Sequence, residues 1–258
     1  MKPCTILLDY GGTLDTQACH WYHLIKEAYE AAGFSMDDAT LRQAYIAGER
    51  ALERDKTLVQ PSYDFYQTQL VKMRQELIAL QALGRPVCEA GDELEAVARQ
   101  LASRLDQVAR RCTEQSAAVL EALTKRGHAL VMVSNFYGNL PTVLREYGLA
   151  SYFEAVVESA TVNVRKPSTE IYRLAVEAAG VAPDRCVMVG DSVKNDIRPA
   201  HAIGCRTVWY KGRGWEDPST IPSARGTELE VSPTDTATVS PEADFVITHL
   251  SQLLTLPL

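Results

Sequence analysis

Long apolar runs are the first thing missing: nowhere do the 258 residues approach the ~20 consecutive apolar positions of a membrane-spanning helix. The amino terminus also lacks a charged leader followed by an apolar stretch and a small-residue cleavage site, so the expected location is cytoplasmic. Positive charge is scarce. The 26 Lys and Arg residues are scattered among 33 Asp and Glu, for a formal net charge of −7, which argues against a nucleic-acid surface built on clustered bases. Paired C-x-x-C spacing is absent among Cys4, Cys19, Cys88, Cys112, Cys186 and Cys205, so neither a zinc site nor a disulfide framework is expected. No internal repeat stands out.

A 46% hydrophobic composition over this length suffices for one large core, or one core plus a smaller satellite, without covalent staples. Four short apolar runs lack the polar alternation of half-exposed strands: Thr5 to Leu8, Ala129 to Val133, Ala155 to Val157 and Cys186 to Val189. They read as strands covered on both faces. Helical patterns lie between the later ones, Ser116 to Arg126, Leu140 to Tyr147 and Glu170 to Ala179, each closed by a glycine. Thr207 to Tyr210 and Phe245 to Thr248 would complete the sheet. The expected fold is therefore α/β, a doubly wound parallel sheet with helices on both faces.

From about Gln17 to about Arg111 the alternation stops. Helix-periodic segments at Trp21 to Ala32, Asp38 to Arg54, Tyr63 to Leu83 and Asp92 to Arg111 predict a smaller, all-helical second domain inserted after the first strand. The boundaries expected are 1–16 and 112–258 for the α/β domain and 17–111 for the helical one. Gly212 to Ala243, rich in Pro, Ser, Thr and Gly, reads as a long loop or partly ordered excursion.

Open parallel sheets bind ligands at the carboxyl ends of their strands. Here the first run ends in Asp9, the second in Ser134-Asn135 and the fourth in Gly190-Asp191, so a carboxylate, a hydroxyl and a second carboxylate should meet in one crevice. Asp9-Tyr10-Gly11-Gly12-Thr13-Leu14 resembles the first motif of the haloacid dehalogenase superfamily. Ser134 resembles its second motif, Lys166-Pro167 its third, and Gly190-Asp191-Ser192-Val193-Lys194-Asn195-Asp196 its fourth. The resemblance covers residues 1–16 and 112–211, with the helical insert in the position of a cap.

That resemblance implies a hydrolase acting on a small phosphorylated substrate through an aspartyl-phosphate on Asp9. It implies Mg²⁺ held by Asp9, the backbone carbonyl of Gly11 and Asp191. Phosphoryl oxygens would be met by Ser134, Asn135, Lys166, Gly12 and Thr13, with Asp196 and Asn195 in support. One position departs from the pattern. The family's phosphatases usually carry an acid/base aspartate where this chain has Gly11, and glycine transfers no proton.

Asp15, His20 and His23 are the nearby candidates to replace that acid, although Asp15 equally suits a helix cap and the histidines a solvated face. Chemistry that needs no acid there, as in phosphonate cleavage through a cap lysine, has Lys26, Lys56 and Lys72 available, none in a distinctive setting. Halide displacement fits less well, because Asp191 keeps a metal-ligating character. A third alternative is a weak or inactive phospho-ligand binding protein, since the same residues serve ground-state binding.

Overall fold

The computed structural model describes residues 4–215, 238–240 and 242–258. Among the described residues seven strands form one sheet in the order β3-β2-β1-β4-β5-β7-β6. They are β1 Thr5–Leu8, β2 Ala129–Ser134, β3 Ala155–Glu158, β4 Cys186–Gly190, β5 Arg206–Tyr210, β6 Thr238–Ser240 and β7 Ala243–Ile247. All neighbouring pairs run parallel except the last, β6 against β7. β1 lies inside the sheet between β2 and β4, with Leu8 in register with Met132 on one side and Val189 on the other. The expectation of a doubly wound α/β sheet holds.

The strands lie where the apolar runs put them because both sheet faces are covered. Ile6 and Leu8 point into one cluster with Leu130, Met132, Leu120 and Leu144. Leu7, between them, points into the opposite cluster with Val131, Val133, Ile171 and Ala175. Period-two burial on both sides removes the polar alternation that a solvated face would impose.

The helices are α1 Trp21–Ala31, α2 Asp38–Arg54, α3 Phe65–Ala82, α4 Asp92–Lys125, α5 Leu140–Glu146, α6 Ser159–Val162, α7 Thr169–Ala179 and α8 Arg198–Ala202. Local chemistry sets their starts. Asp37 caps α2, and Asp64 with Gln67 forms a reciprocal capping box on α3. Gly180, at φ 65°, closes α7. α1 to α4 share a separate apolar cluster around Tyr22, Ile25, Leu41, Met73, Leu77 and Leu101.

Two expectations change. The segments placed at Asp92 to Arg111 and Ser116 to Arg126 are one helix of 34 residues, because Cys112-Thr113-Glu114-Gln115 contains neither Gly nor Pro to stop it. Thr113 donates back to the Ala109 carbonyl at 2.9 Å, and Ser116 donates to the Leu14 carbonyl at 2.8 Å, so both buried hydroxyls are satisfied. α4 contributes Leu105 to the helical cluster and Ala109 to the sheet cluster, so it belongs to both. Most of the Gly212 to Ala243 stretch lies outside the described residues, and its described part includes β6, a strand with no clear signal in the sequence. No helix among the described residues is long and apolar enough to cross a membrane. All six cysteines are free thiols.

Candidate active site

Asp9 continues β1 by one residue, its N–H donating to the Val189 carbonyl at 3.1 Å, which delivers its carboxylate to the carboxyl edge of the sheet. The chain then turns tightly, with the Thr13 and Leu14 N–H groups both donating to the Tyr10 carbonyl. Gly12 has φ 95°, and a Cβ there would stand 2.7 Å from the Asp191 carboxylate. Only glycine therefore lets the first turn approach the end of β4. Gly190 is required for a similar reason: a Cβ would meet the Asp196 carboxyl carbon at 2.5 Å.

Lys166 joins the parts. Its Nζ lies 2.6 Å from Asp9 Oδ1 and 2.7 Å from Asp196 Oδ1. Asn135 holds the Lys166 backbone from both sides, accepting from its N–H at 2.9 Å and donating to its carbonyl at 3.2 Å. Thr13 Oγ1 lies 3.1 Å from Asp9 Oδ2 and 3.3 Å from Asp191 Oδ1, and it accepts the Asp191 N–H at 3.1 Å. Asp196 also accepts the Ser192 N–H at 3.0 Å. Ser134 closes β2, buried, on the same edge. Asn195 takes part through its backbone, whose carbonyl accepts the Tyr172 hydroxyl at 2.6 Å.

Burial raises Asp9 to about 6 even though Lys166 pulls it down, and it holds Asp191 well above the carboxylate range, with Asp196 and Asp9 adding to the effect. Burial also disfavours the Lys166 charge, but Asp196 and Asp9 outweigh it and keep the ammonium above its usual value. Asp9, Asp191 and Asp196 each bring one oxygen to a cluster whose members lie within 4.8 Å of one another. Three carboxylates against one ammonium leave two negative charges in excess when all are ionised. A divalent cation with a preference for hard oxygen donors fits that set.

Asp15 does not cap a helix. Its Oδ1 accepts the Gly12 N–H at 2.7 Å and its Oδ2 accepts the Trp21 indole at 3.1 Å, and burial raises its carboxyl to about 8. The two histidines do not form a solvated face either. His20 caps α1 by accepting the Tyr22 N–H at 3.2 Å, and burial lowers it to about 4. His23 is buried, with Nε2 2.8 Å from the Gly214 carbonyl.

The lysines differ more than their sequence contexts suggest. Lys26 pairs with Asp38 at 3.2 Å, and Lys56 donates to Asn163 at 2.8 Å. Lys72 is 3% exposed and paired with Glu49, a distinctive setting after all. Sequence reasoning missed Tyr172, whose hydroxyl lies 3.3 Å from Asp196 Oδ1, and Trp209, whose indole donates to the Asp191 carbonyl at 3.0 Å. Both sit inside apolar elements, where an aromatic residue looks like ordinary core.

A parallel sheet presenting this carboxylate and lysine arrangement at its carboxyl edge defines a class of hydrolase, and the chain belongs to the haloacid dehalogenase-like hydrolase family, whose model matches residues 5–204. It is similar to the phosphoserine phosphatase of Thermus thermophilus, 36% identical over 55% of this chain and 58% of that protein. It is also similar to the ribulose-1,5-bisphosphate 5-phosphatase of Halopiger xanaduensis, 24% identical over 88% of this chain and 86% of that protein. The matches to the first three curated relatives span 58%, 37% and 42% of their lengths. The fold resembles the putative HAD-hydrolase YfnB of Bacillus subtilis bound to magnesium, at TM-score 0.56 and 17% identity over 99% of this chain and 98% of that one. It also resembles a dehalogenase at TM-score 0.59 and 19% identity, over 98% of this chain and 96% of that one.

Proposed function

We propose that the protein is a magnesium-dependent phosphatase of small phosphorylated metabolites, with Asp9 as nucleophile. The observation that carries this reading is the pair of contacts from the Lys166 ammonium to Asp9 at 2.6 Å and Asp196 at 2.7 Å, beside a third carboxylate on Asp191. The phosphatases among its relatives support it. Asp9 attacks phosphorus, the ester P–O bond breaks, and the leaving group departs with the bonding pair. Water then attacks the aspartyl-phosphate, the bond from phosphorus to Asp9 breaks, and phosphate is released. Lys166 holds Asp9 oriented and offsets charge on the transferring group, whose oxygens Ser134 and Asn135 would meet; the Gly12 and Thr13 N–H groups are already donated to Asp15 and to the Tyr10 carbonyl. Asp9, the Gly11 carbonyl and Asp191 would hold magnesium. When bound, the ion offsets the repulsion between anionic nucleophile and anionic substrate.

Hydrolysis of p-nitrophenyl phosphate with Mg²⁺ should be measurable and fall to background in Asp9→Asn. Mg²⁺ should raise the melting temperature of the wild type and not of Asp191→Asn. No turnover across a broad phosphate panel, in protein that binds Mg²⁺ and phosphate, would make this a phospho-ligand binding protein instead.

A further inference from the structure

The helical part holds a second buried ionic cluster. Lys72 of α3 pairs with Glu49 of α2, and Glu49 Oε2 accepts the hydroxyl of Tyr137 at 2.7 Å. Tyr137 lies three residues after Ser134, so the cluster is tied to the loop that leaves the active-site edge. Lys72 Nζ sits 4.7 Å from the centre of the Tyr45 ring. Tyr45 also packs against His20, their ring centroids 5.8 Å apart, at the start of the helix that follows the Asp9 loop. Burial raises its hydroxyl, and the charges of Glu49, Glu76, Asp191 and Asp15 add to the effect.

Glu76 completes the cluster and is its anomaly. One helical turn after Lys72 on α3, it is 0% exposed, and neither of its carboxylate oxygens has a hydrogen-bond partner. Its Cγ lies where a Cβ on Gly48 would meet it at 2.7 Å, so α2 carries a glycine where the carboxylate needs room. The Gln69 amide oxygen on the same helix is likewise buried and unpartnered. Burying a carboxylate without partners is among the costlier things a core can do, and an apolar residue of similar size would remove that cost.

The unpartnered atoms on this stretch of α3 are acceptors, so the missing group is a donor. When both are ionised, Glu49 and Glu76 face one ammonium, so the donor that would let Glu76 ionise is cationic. Among the described residues the three-ligand acidic cluster is the one around Asp9, whereas here two carboxylates converge and one is already committed to Lys72 and Tyr137. An organic ammonium, with several N–H donors, suits this geometry better than a metal ion. We propose that Glu76, with Glu49, Lys72 and Tyr45, forms the leaving-group subsite of the phosphatase and selects phosphomonoesters whose leaving group carries a primary ammonium. This rests on the phosphatase reading, and it names the substrate class.

The test uses ω-aminoalkyl phosphates of two to five carbons, beginning with O-phosphoethanolamine, each paired with the n-alkyl phosphate of equal heavy-atom count. At the matching length the ammonium ester should be preferred in kcat/KM by about 10- to 100-fold, the range expected for a charge-assisted hydrogen bond in a buried site. Glu76→Gln should bring that ratio close to one and melt no lower than the wild type, since it removes a buried carboxyl whose oxygens have no partner. Glu76→Asp, which keeps the carboxyl but shortens the reach, should retain part of the preference. Equal kcat/KM for both esters at every length, with Asp9-dependent hydrolysis of p-nitrophenyl phosphate intact, would overturn the subsite and leave the phosphatase standing. A preference that survives Glu76→Gln would overturn it as well. If no ester turns over, the phosphatase reading fails, and the same pairs are compared by calorimetric Kd with Mg²⁺ present; equal affinities then overturn the subsite.

Discussion

Gly11 and Gly12 are adjacent, and their surroundings give them opposite tolerances. A Cβ on Gly11 meets nothing within 4 Å, and Gly11 is not among the glycines with positive φ. An aspartate therefore fits there without backbone strain, in the position from which the family's acid acts. Gly11→Asp should raise kcat on ethyl phosphate by about tenfold or more, toward the ~10² to 10⁴ typical of general acid catalysis, and change p-nitrophenyl phosphate hydrolysis far less, because that leaving group needs little protonation. An unchanged ethyl phosphate rate would mean that another group already gives the proton. Asp15 is poorly placed for that role, with both oxygens engaged by Gly12 and Trp21. Gly12→Ala should instead cost at least about tenfold in kcat/KM and raise the Mg²⁺ concentration needed for half activity, since the new methyl lands on Asp191. Asp9 and Asp191 were legible because each follows an apolar run that ends at the sheet edge, and Lys166 only because Lys166-Pro167 resembles a family motif, since it lies in the loop between α6 and α7. Glu76 and Lys72 were not, because helical periodicity marks a buried position without saying whether a charge occupies it.

At the scale of elements, legibility follows burial. The apolar strands announce themselves because both faces are covered, and the helical periodicity of Asp38 to Arg54 matches α2 from end to end, with Asp37 capping its start in the structure. α4 was divided because Cys112 to Gln115 interrupts the apolar pattern, although nothing in that run stops a helix and the neighbouring structure satisfies its buried hydroxyls. β6 gave no signal because three residues are too few to carry a period. The continuity of α4 has a measurable consequence. Leu105, fully buried, belongs to the helical cluster one turn before Ala109 joins the sheet cluster. Leu105→Ala should cost about 2–5 kcal/mol and shift a single denaturation transition. Far-ultraviolet circular dichroism should coincide with the fluorescence of Trp21, Trp209 and Trp215, which together sample α1, β5 and the segment after β5. Two separated transitions would show that the helix does not couple the clusters.

Over the whole molecule, the acids outnumber the bases, and some of the excess is buried where ionisation is opposed. Glu76 is raised to about 8 by burial, Lys72 opposing and Glu49 adding; Asp15 is also raised to about 8, mainly by burial. A carboxyl whose folded pKa lies above its unfolded value keeps its proton in the native state while the unfolded chain has already lost it. The folded form therefore binds more protons between about pH 4.5, where an unfolded Glu ionises, and about pH 8, and its stability falls as pH rises across that window. Exposed ion-paired carboxylates such as Asp38, held low mainly by the Tyr22 hydroxyl, act in the opposite sense only at more acid pH. The metal-free protein should accordingly be more resistant to urea at pH 6 than at pH 8. Each such group contributes at most about 1.4 kcal/mol per pH unit. Glu76→Gln should flatten the slope and raise stability most at pH 8, where the wild-type carboxyl begins to ionise without a partner. A wild-type slope of the opposite sign, or one that Glu76→Gln leaves untouched, would mean that the carboxylate finds its compensating donor inside the folded chain, and the case for a ligand ammonium there would lose its physical basis.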